Sequence, residues 1–268
     1  MGNSLKITVP KIRGMKPEGE AITVLTAYDY QTARILDDCG VEVLLVGDSL
    51  GNVVYGFDST LPVTMEMMIA HTGAVVRGRK NALVVSDMPF MSYQTSVSDA
   101  IANAGRLVKE AGAEAVKLEG GLKSADRIRA IVDADIPVMG HIGLRPQAVN
   151  MMGGYKVQGK LESERLSLIE DARAVEHAGA FALVLEAVPA SVAGEIRDLL
   201  SIPVIGIGAG PHCDGQVLVV NDMLGLSEFK PKFVRHFAEL SGSIKEAVSE
   251  YIGEVKSGKF PADSESFT

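Results

Sequence analysis

Short aliphatic runs recur along the chain, each entered from a helix-like stretch through a glycine and left through an acidic residue. Cys39-Gly40-Val41 leads through Val43-Leu44-Leu45-Val46 to Asp48. Ala111-Gly112-Ala113 leads through Val116-Lys117-Leu118 to Glu119, and Ala178-Gly179-Ala180 through Leu183-Val184-Leu185 to Glu186. Glycine just past a helix supplies the left-handed closing residue, and an aliphatic run this short marks a strand buried on both faces. A second echo pairs Ile136-Pro137-Val138-Met139-Gly140-His141 with Ile202-Pro203-Val204-Ile205-Gly206-Ile207, where proline opens a strand and glycine permits close packing near its end. Ile22 to Tyr28, Ala82 to Val85 and Gln216 to Val220 complete the strand candidates.

Helical spacing fills the gaps. Val97, Ile101, Ala104, Leu107 and Ala111 share one face of Ser96 to Ala111, and Leu168, Ala172, Val175 and Ala178 share one face of Ser163 to Ala178. Alternating strand and helix with no low-complexity linker predicts a single-domain α/β protein, a (β/α)8 TIM barrel over residues 1–268. An N-terminal extension of about 1–21 precedes it, and a C-terminal helix and polar tail of about 229–268 follow, the helix running from Phe229 to Val255. The competing architecture is a doubly wound sheet. Its dinucleotide fingerprint is imitated by Gly206-Ile207-Gly208-Ala209-Gly210, but Pro211 stands where the last glycine belongs.

Composition narrows the function. With 34 acidic and 26 basic residues and a net charge of -8, the chain has no broad electrostatic footprint for nucleic acid or anionic lipid. Two cysteines, Cys39 and Cys213, make no disulfide framework or CxxC pair, which suits a reducing compartment. Leu199 to Cys213, the longest uncharged run, is broken by prolines and glycines and falls short of a spanning helix. The expectation is a cytoplasmic protein acting on small molecules.

In a barrel the chemistry sits at the C-terminal ends of the strands. Those positions read Tyr28, Asp48-Ser49, Asp87, Lys117 with Glu119, His141 and Glu186. Any one carboxylate could be a helix cap or a solvent-facing loop residue; six polar ends on successive strands point to a site. Asp48, Asp87 and Glu119 are an oxygen-only set that suits a hard cation such as Mg2+. Lys117 lies two residues before Glu119 on the same strand face, placed either to bind an anionic substrate or to form an internal ion pair with Glu119. His141 reads first as a structural histidine. The remaining histidines have no comparable company, and the eleven methionines read as core filler.

Several longer blocks carry a resemblance: Asp48-Ser49-Leu50-Gly51, Asp58-Ser59-Thr60-Leu61-Pro62-Val63-Thr64, Val116-Lys117-Leu118-Glu119-Gly120-Gly121, Gly140-His141-Ile142-Gly143-Leu144, Gly153-Gly154-Tyr155-Lys156-Val157-Gln158-Gly159 and Pro203 to Gly210. In this order, from about Ile7 to Phe267, the chain resembles the ketopantoate hydroxymethyltransferases. The resemblance implies a Mg2+-dependent (β/α)8 enzyme of pantothenate biosynthesis that moves a hydroxymethyl unit from the co-substrate 5,10-methylenetetrahydrofolate to 3-methyl-2-oxobutanoate through a Mg2+-stabilised enolate, giving 2-dehydropantoate. It puts the metal ligands on Asp48, Asp87 and Glu119, the ketoacid contacts on Asp48, Ser49, Asp87 and Lys117, and the catalytic base on Glu186. It also implies a homodecamer built as a pentamer of dimers, and leaves the folate contacts unassigned. Two other classes stay open on the residues: a Mg2+ lyase of the phosphoenolpyruvate and isocitrate lyase kind, which would need a dedicated cysteine or phosphate-binding arginines near the mouth, and a non-catalytic oxoacid-binding barrel.

Overall fold

The computed structural model describes residues 6–227 and 231–267. Eight strands run parallel and in sequence order around a closed barrel: β1 (Ile22–Thr26), β2 (Val43–Val46), β3 (Leu83–Asp87), β4 (Ala115–Glu119), β5 (Val138–Gly143), β6 (Ala182–Glu186), β7 (Val204–Ile207) and β8 (Gly215–Leu218). Closure comes from β1 and β8, with Ile22 opposite Gly215 and Leu25 opposite Leu218. The expected barrel is therefore present, and the doubly wound alternative is not. β-Branched and aliphatic residues fill β2 through β6 because both faces of each strand are covered, the outer face by helices and the inner by the opposite strands.

The three glycine joints behave as expected: Gly40, Gly112 and Gly179 have φ of 88°, 80° and 98°. Helices Tyr30–Asp38, Met65–Gly78, Val97–Lys109, Ala125–Asp133, Glu162–His177 and Ala190–Leu199 return the chain between successive strands from β1 to β7. No helix separates β7 from β8. Gly140 shows why its strand needs no side chain there: a Cβ would lie 2.3 Å from Val175 Cγ1 on the Glu162–His177 helix.

Strand ends differ from expectation by a few residues. β1 stops at Thr26, so Tyr28 lies beyond it, and β3 runs on to include Asp87, in register with Lys117 of β4. Val220 leaves β8 to open the Val220–Met223 helix, where a second compact unit begins. In that unit the long helix is Leu240–Ser257 rather than Phe229 to Val255; Phe229 itself lies outside the described residues, and Pro231 and the segment after it are irregular. The helix has no buried residue, and Ile244, Val248, Tyr251 and Val255 line an exposed apolar stripe.

The extension before β1 holds an element the hydrophobic pattern did not announce, the helix Val9–Glu18. Ile12 and Met15 on its inner face join the barrel core with Val24, Val43, Leu45, Leu83, Val85, Met139, Val184 and Ile205. Lys16 fastens it: its Nζ donates to the carbonyls of Arg197, near the end of the Ala190–Leu199 helix, and of Ile202, and lies 3.1 Å from Asp214, the last two just ahead of β7 and β8. The helix therefore plugs the N-terminal end of the barrel and leaves the opposite end open.

The entry to β3 depends on one buried carboxylate. Asp37 Oδ1 accepts from the amides of Asn81 and Ala82, and Oδ2 from Lys80, at 2.7–2.9 Å. Removing an acceptor strands these donors, at a cost of about 1–3 kcal/mol for a buried one. Asp37→Ala should thus lower unfolding stability by about 2–3 kcal/mol in urea titration; a loss below about 0.5 kcal/mol, the ordinary surface range, would contradict this role.

Candidate active site

At the open end the residues singled out from the sequence converge. Asp48 sits in the turn after β2, Asp87 closes β3, Lys117 and Glu119 come from β4, His141 from β5 and Glu186 from the end of β6. All but Glu186 are almost wholly buried, and the Glu186 side chain keeps 15% of its surface open. The Asp48 amide donates to Asp87 Oδ2 at 3.0 Å, and Lys117 Nζ lies 2.8 Å from Asp87 Oδ1. Lys117 is thus paired with Asp87, not with Glu119 as the internal ion-pair alternative had it. Ser49 stands at the edge of the cluster, its Oγ 2.8 Å from the Tyr28 hydroxyl.

Electrostatics follows from crowding. Burial, then the neighbouring charge of Asp87, pushes Asp48 up to about 7. Burial and the charge of Asp48 push Glu119 well above the ordinary carboxylate range. Burial pulls Lys117 down, but Asp87, Asp48 and Glu119 together outweigh it and hold the ammonium above its usual value. His141 goes the other way, kept neutral by burial and by the charge of Lys117. Its Nδ1 lies 3.4 Å from Lys117 Nζ and its Nε2 3.1 Å from Glu186 Oε2, the latter contact close but poorly aligned. A neutral ring that accepts from Lys117 at Nδ1 turns an Nε2–H toward Glu186.

Two residues the sequence did not mark hold the cluster in place. Gln147 donates through Nε2 to Asp48 Oδ2 at 2.8 Å and to the Met88 carbonyl at 2.9 Å, and its amide donates to Glu119 Oε2 at 3.1 Å. Its Oε1 accepts from the Tyr93 hydroxyl at 2.7 Å. Burial and the charge of Glu119 push the Tyr93 phenol well above its usual value, so it stays a donor. Neither residue is titratable near neutrality or part of a recognisable spacing; only their place in loops that follow β3 and β5 hinted at them. The Gly153–Gly159 loop also reaches this end of the barrel: the Tyr155 phenol is pushed up by burial and then by the charge of Glu186.

The donor set bears on a metal. Among the described residues no three His, Cys, Asp or Glu side chains form a ready-made cage. Mg2+ does not require one, since it commonly keeps several waters and takes only one or two carboxylates besides substrate oxygens. Three buried carboxylates balanced by the ammonium of Lys117 are short of positive charge, and all their donors are oxygens, so the residues fit a hard divalent cation. The cysteines offer no alternative chemistry: Cys39 is exposed beyond the Tyr30–Asp38 helix, and burial pushes the Cys213 thiol up to about 11.

The same arrangement predicts the effect of losing Lys117. Lys117→Met keeps the bulk and removes one charge-assisted contact, so kcat/KM should fall about 10- to 200-fold, the equivalent of about 1.5–3 kcal/mol. A variant that melts much earlier yet keeps wild-type kcat/KM would mark the lysine as structural.

Comparison with known proteins bears on the same residues. The model of the ketopantoate hydroxymethyltransferase family matches residues 6–263. The 3-methyl-2-oxobutanoate hydroxymethyltransferase of Geobacter metallireducens is 61% identical over 264 residues, 98% of this chain and 99% of that protein. That of Clostridium botulinum is 59% identical, over 98% of this chain and 96% of its own. Among solved structures, phosphoenolpyruvate phosphomutase from Streptomyces platensis superposes with a TM-score of 0.64 at 16% identity, covering 94% of this chain and 88% of that one. 2,3-Dimethylmalate lyase, of the PEP mutase/isocitrate lyase superfamily, gives 0.61 at 18%, covering 97% and 91%. At such identities the likeness is one of fold, whereas the sequence match spans nearly every residue that builds the barrel and its mouth. The chain belongs to the ketopantoate hydroxymethyltransferase family.

Proposed function

We propose that the chain transfers a hydroxymethyl group from 5,10-methylenetetrahydrofolate to 3-methyl-2-oxobutanoate, forming 2-dehydropantoate in pantothenate biosynthesis. The observation that carries this reading is the buried Asp48–Asp87–Lys117–Glu119 cluster with a more open carboxylate, Glu186, beside it. Asp48, Asp87 and Glu119 would hold Mg2+, which when bound supplies positive charge at the carboxylate and keto oxygens of the ketoacid and so acidifies C3.

The chain's own groups account for the rest. Lys117 fixes Asp87 and adds charge for the anionic substrate, and the Ser49 hydroxyl, oriented by Tyr28, offers a hydrogen bond to it. Glu186 takes the proton from C3, with Nε2 of neutral His141 lying 3.1 Å from its carboxylate. Both carbon–nitrogen bonds of the folate's methylene bridge break, water supplying the oxygen to that carbon and its two protons to the nitrogens; C3 bonds to the freed carbon, and the new hydroxyl takes up the proton that Glu186 removed. Burial of the cluster helps the carbanion meet the one-carbon unit before it is reprotonated.

Purified protein incubated with the ketoacid, the folate and Mg2+ should form 2-dehydropantoate and tetrahydrofolate in equal amounts. Absence of both products in the complete mixture defeats the reading. The homodecamer is part of the same proposal, supported by the exposed apolar stripe of the Leu240–Ser257 helix, and sedimentation velocity tests it.

A further inference from the structure

A cavity of about 390 Å3 adjoins the carboxylate cluster and shares Tyr93, Glu119 and Gln147 with it. Its volume is in the range that accepts a cofactor-sized molecule. Charge is distributed unevenly in it. Arg127, Arg145 and Lys123 all line it, while Glu119, on its floor, is the one carboxylate in its lining among the described residues. None of the three cations has a carboxylate within ion-pair distance among the described residues, although the chain as a whole carries a net charge of -8. The Arg127 guanidinium donates only to the Lys123 and Gln94 carbonyls, and its buried Nε has no partner. Apolar surface completes the lining, with Phe90 and Met151 exposed at 38% and 79%.

We infer that this cavity seats the one-carbon donor of the proposed reaction, with the donor's glutamate carboxylates on Arg127, Arg145 and Lys123 and its flat ring toward Glu119 and Gln147. The inference rests on the function proposed above. The depth of the residues sets the direction: Tyr93, Glu119 and Gln147 are buried, Arg127 and Arg145 half-buried, and Lys123 exposed at the rim. A rigid heterocycle carrying the reactive carbon must reach the floor, where the ketoacid site begins. A flexible anionic tail then runs outward past successive cations, each unpaired guanidinium gaining a charge-assisted bond. Phe90 and Met151 offer apolar cover for the aromatic middle of such a molecule.

Steady-state kinetics on Arg145→Glu, Arg127→Ala and Lys123→Glu tests this, with monoglutamyl and triglutamyl 5,10-methylenetetrahydrofolate as varied substrates. The folate KM should rise about 10- to 200-fold for Arg145→Glu, the worth of one charged hydrogen bond, with partial rescue in Arg145→Lys. The wild-type enzyme should favour the triglutamyl form, Lys123→Glu should chiefly erase that preference, and the folate KM should climb with added salt. The ketoacid KM should move less than twofold. A folate KM within twofold of wild type in all three variants, at low ionic strength and with normal melts, overturns the inference. A wild-type enzyme that makes no 2-dehydropantoate would instead defeat the functional reading, so the two failures are told apart.

Discussion

Glu186→Gln should slow the exchange of the C3 proton of 3-methyl-2-oxobutanoate in D2O by about 10²- to 10⁴-fold, the usual worth of a positioned general base. The substitution keeps shape and removes basicity. Glu186 is the carboxylate of the cluster with the largest open surface, the others being tied to Lys117, Gln147 or a backbone amide. Its backbone is held: the carbonyl accepts from Leu144 at 2.9 Å, and the chain turns away through Ala187 in the left-handed region at φ 49°. The readout is the isopropyl methine signal in proton NMR, recorded with Mg2+ and no folate. Ketoacid binding, followed by calorimetry, should stay close to wild type because the proposed binding groups are elsewhere. Exchange at the wild-type rate in the variant would take Glu186 out of the role and pass it to His141.

Chelation should abolish transfer, and added Mg2+ should restore it. The reason lies in the charge count at the mouth: Asp48 and Glu119 are pushed up by burial and by their neighbours, so the unliganded cluster is electrostatically crowded. Electrostatic stabilisation by a divalent ion is worth several kcal/mol, so the loss should exceed about 10³-fold in kcat/KM. Asp48→Asn and Asp87→Asn should weaken Mg2+ and ketoacid binding together, since the two are proposed to share these carboxylates. Calorimetric titration of both ligands decides it. Ketoacid affinity unchanged in both variants would separate the two sites, and full activity in metal-free buffer would remove Asp48, Asp87 and Glu119 from the ligand role.

Much of this site could be read from the sequence because a parallel barrel translates linear pattern into position. A doubly buried strand needs an unbroken aliphatic run, so the first polar residue after Val43–Val46 or near the end of β6 must mark the exposed end where side chains meet. Asp48, Asp87, Glu119 and Glu186 were visible for that reason. Gln147 and Tyr93 were not, because their importance lies in what they touch across loops, and an amide or phenol in a loop has no periodicity to betray it. The Val9–Glu18 helix was hidden differently. Gly14 and Pro17 interrupt it and lysines dilute its apolar face, so Ile12 and Met15 declare themselves only once a barrel is there to receive them. Lys117 pairs with Asp87 because β3 and β4 set those two residues side by side, a cross-strand neighbour that spacing along β4 alone could not rank above Glu119.

That the mouth draws on five consecutive strands, β2 to β6, has a consequence for how the enzyme comes into being. No contiguous stretch of chain owns the site, and the stitch that closes the ring, β1 to β8, joins segments near opposite ends of the barrel sequence. Pairings between distant segments form slowly because their loop entropy must be met first, whereas the intervening helices form from local contacts. During refolding, helical signal therefore returns ahead of catalysis, and the appearance of activity serves as a clock for ring closure.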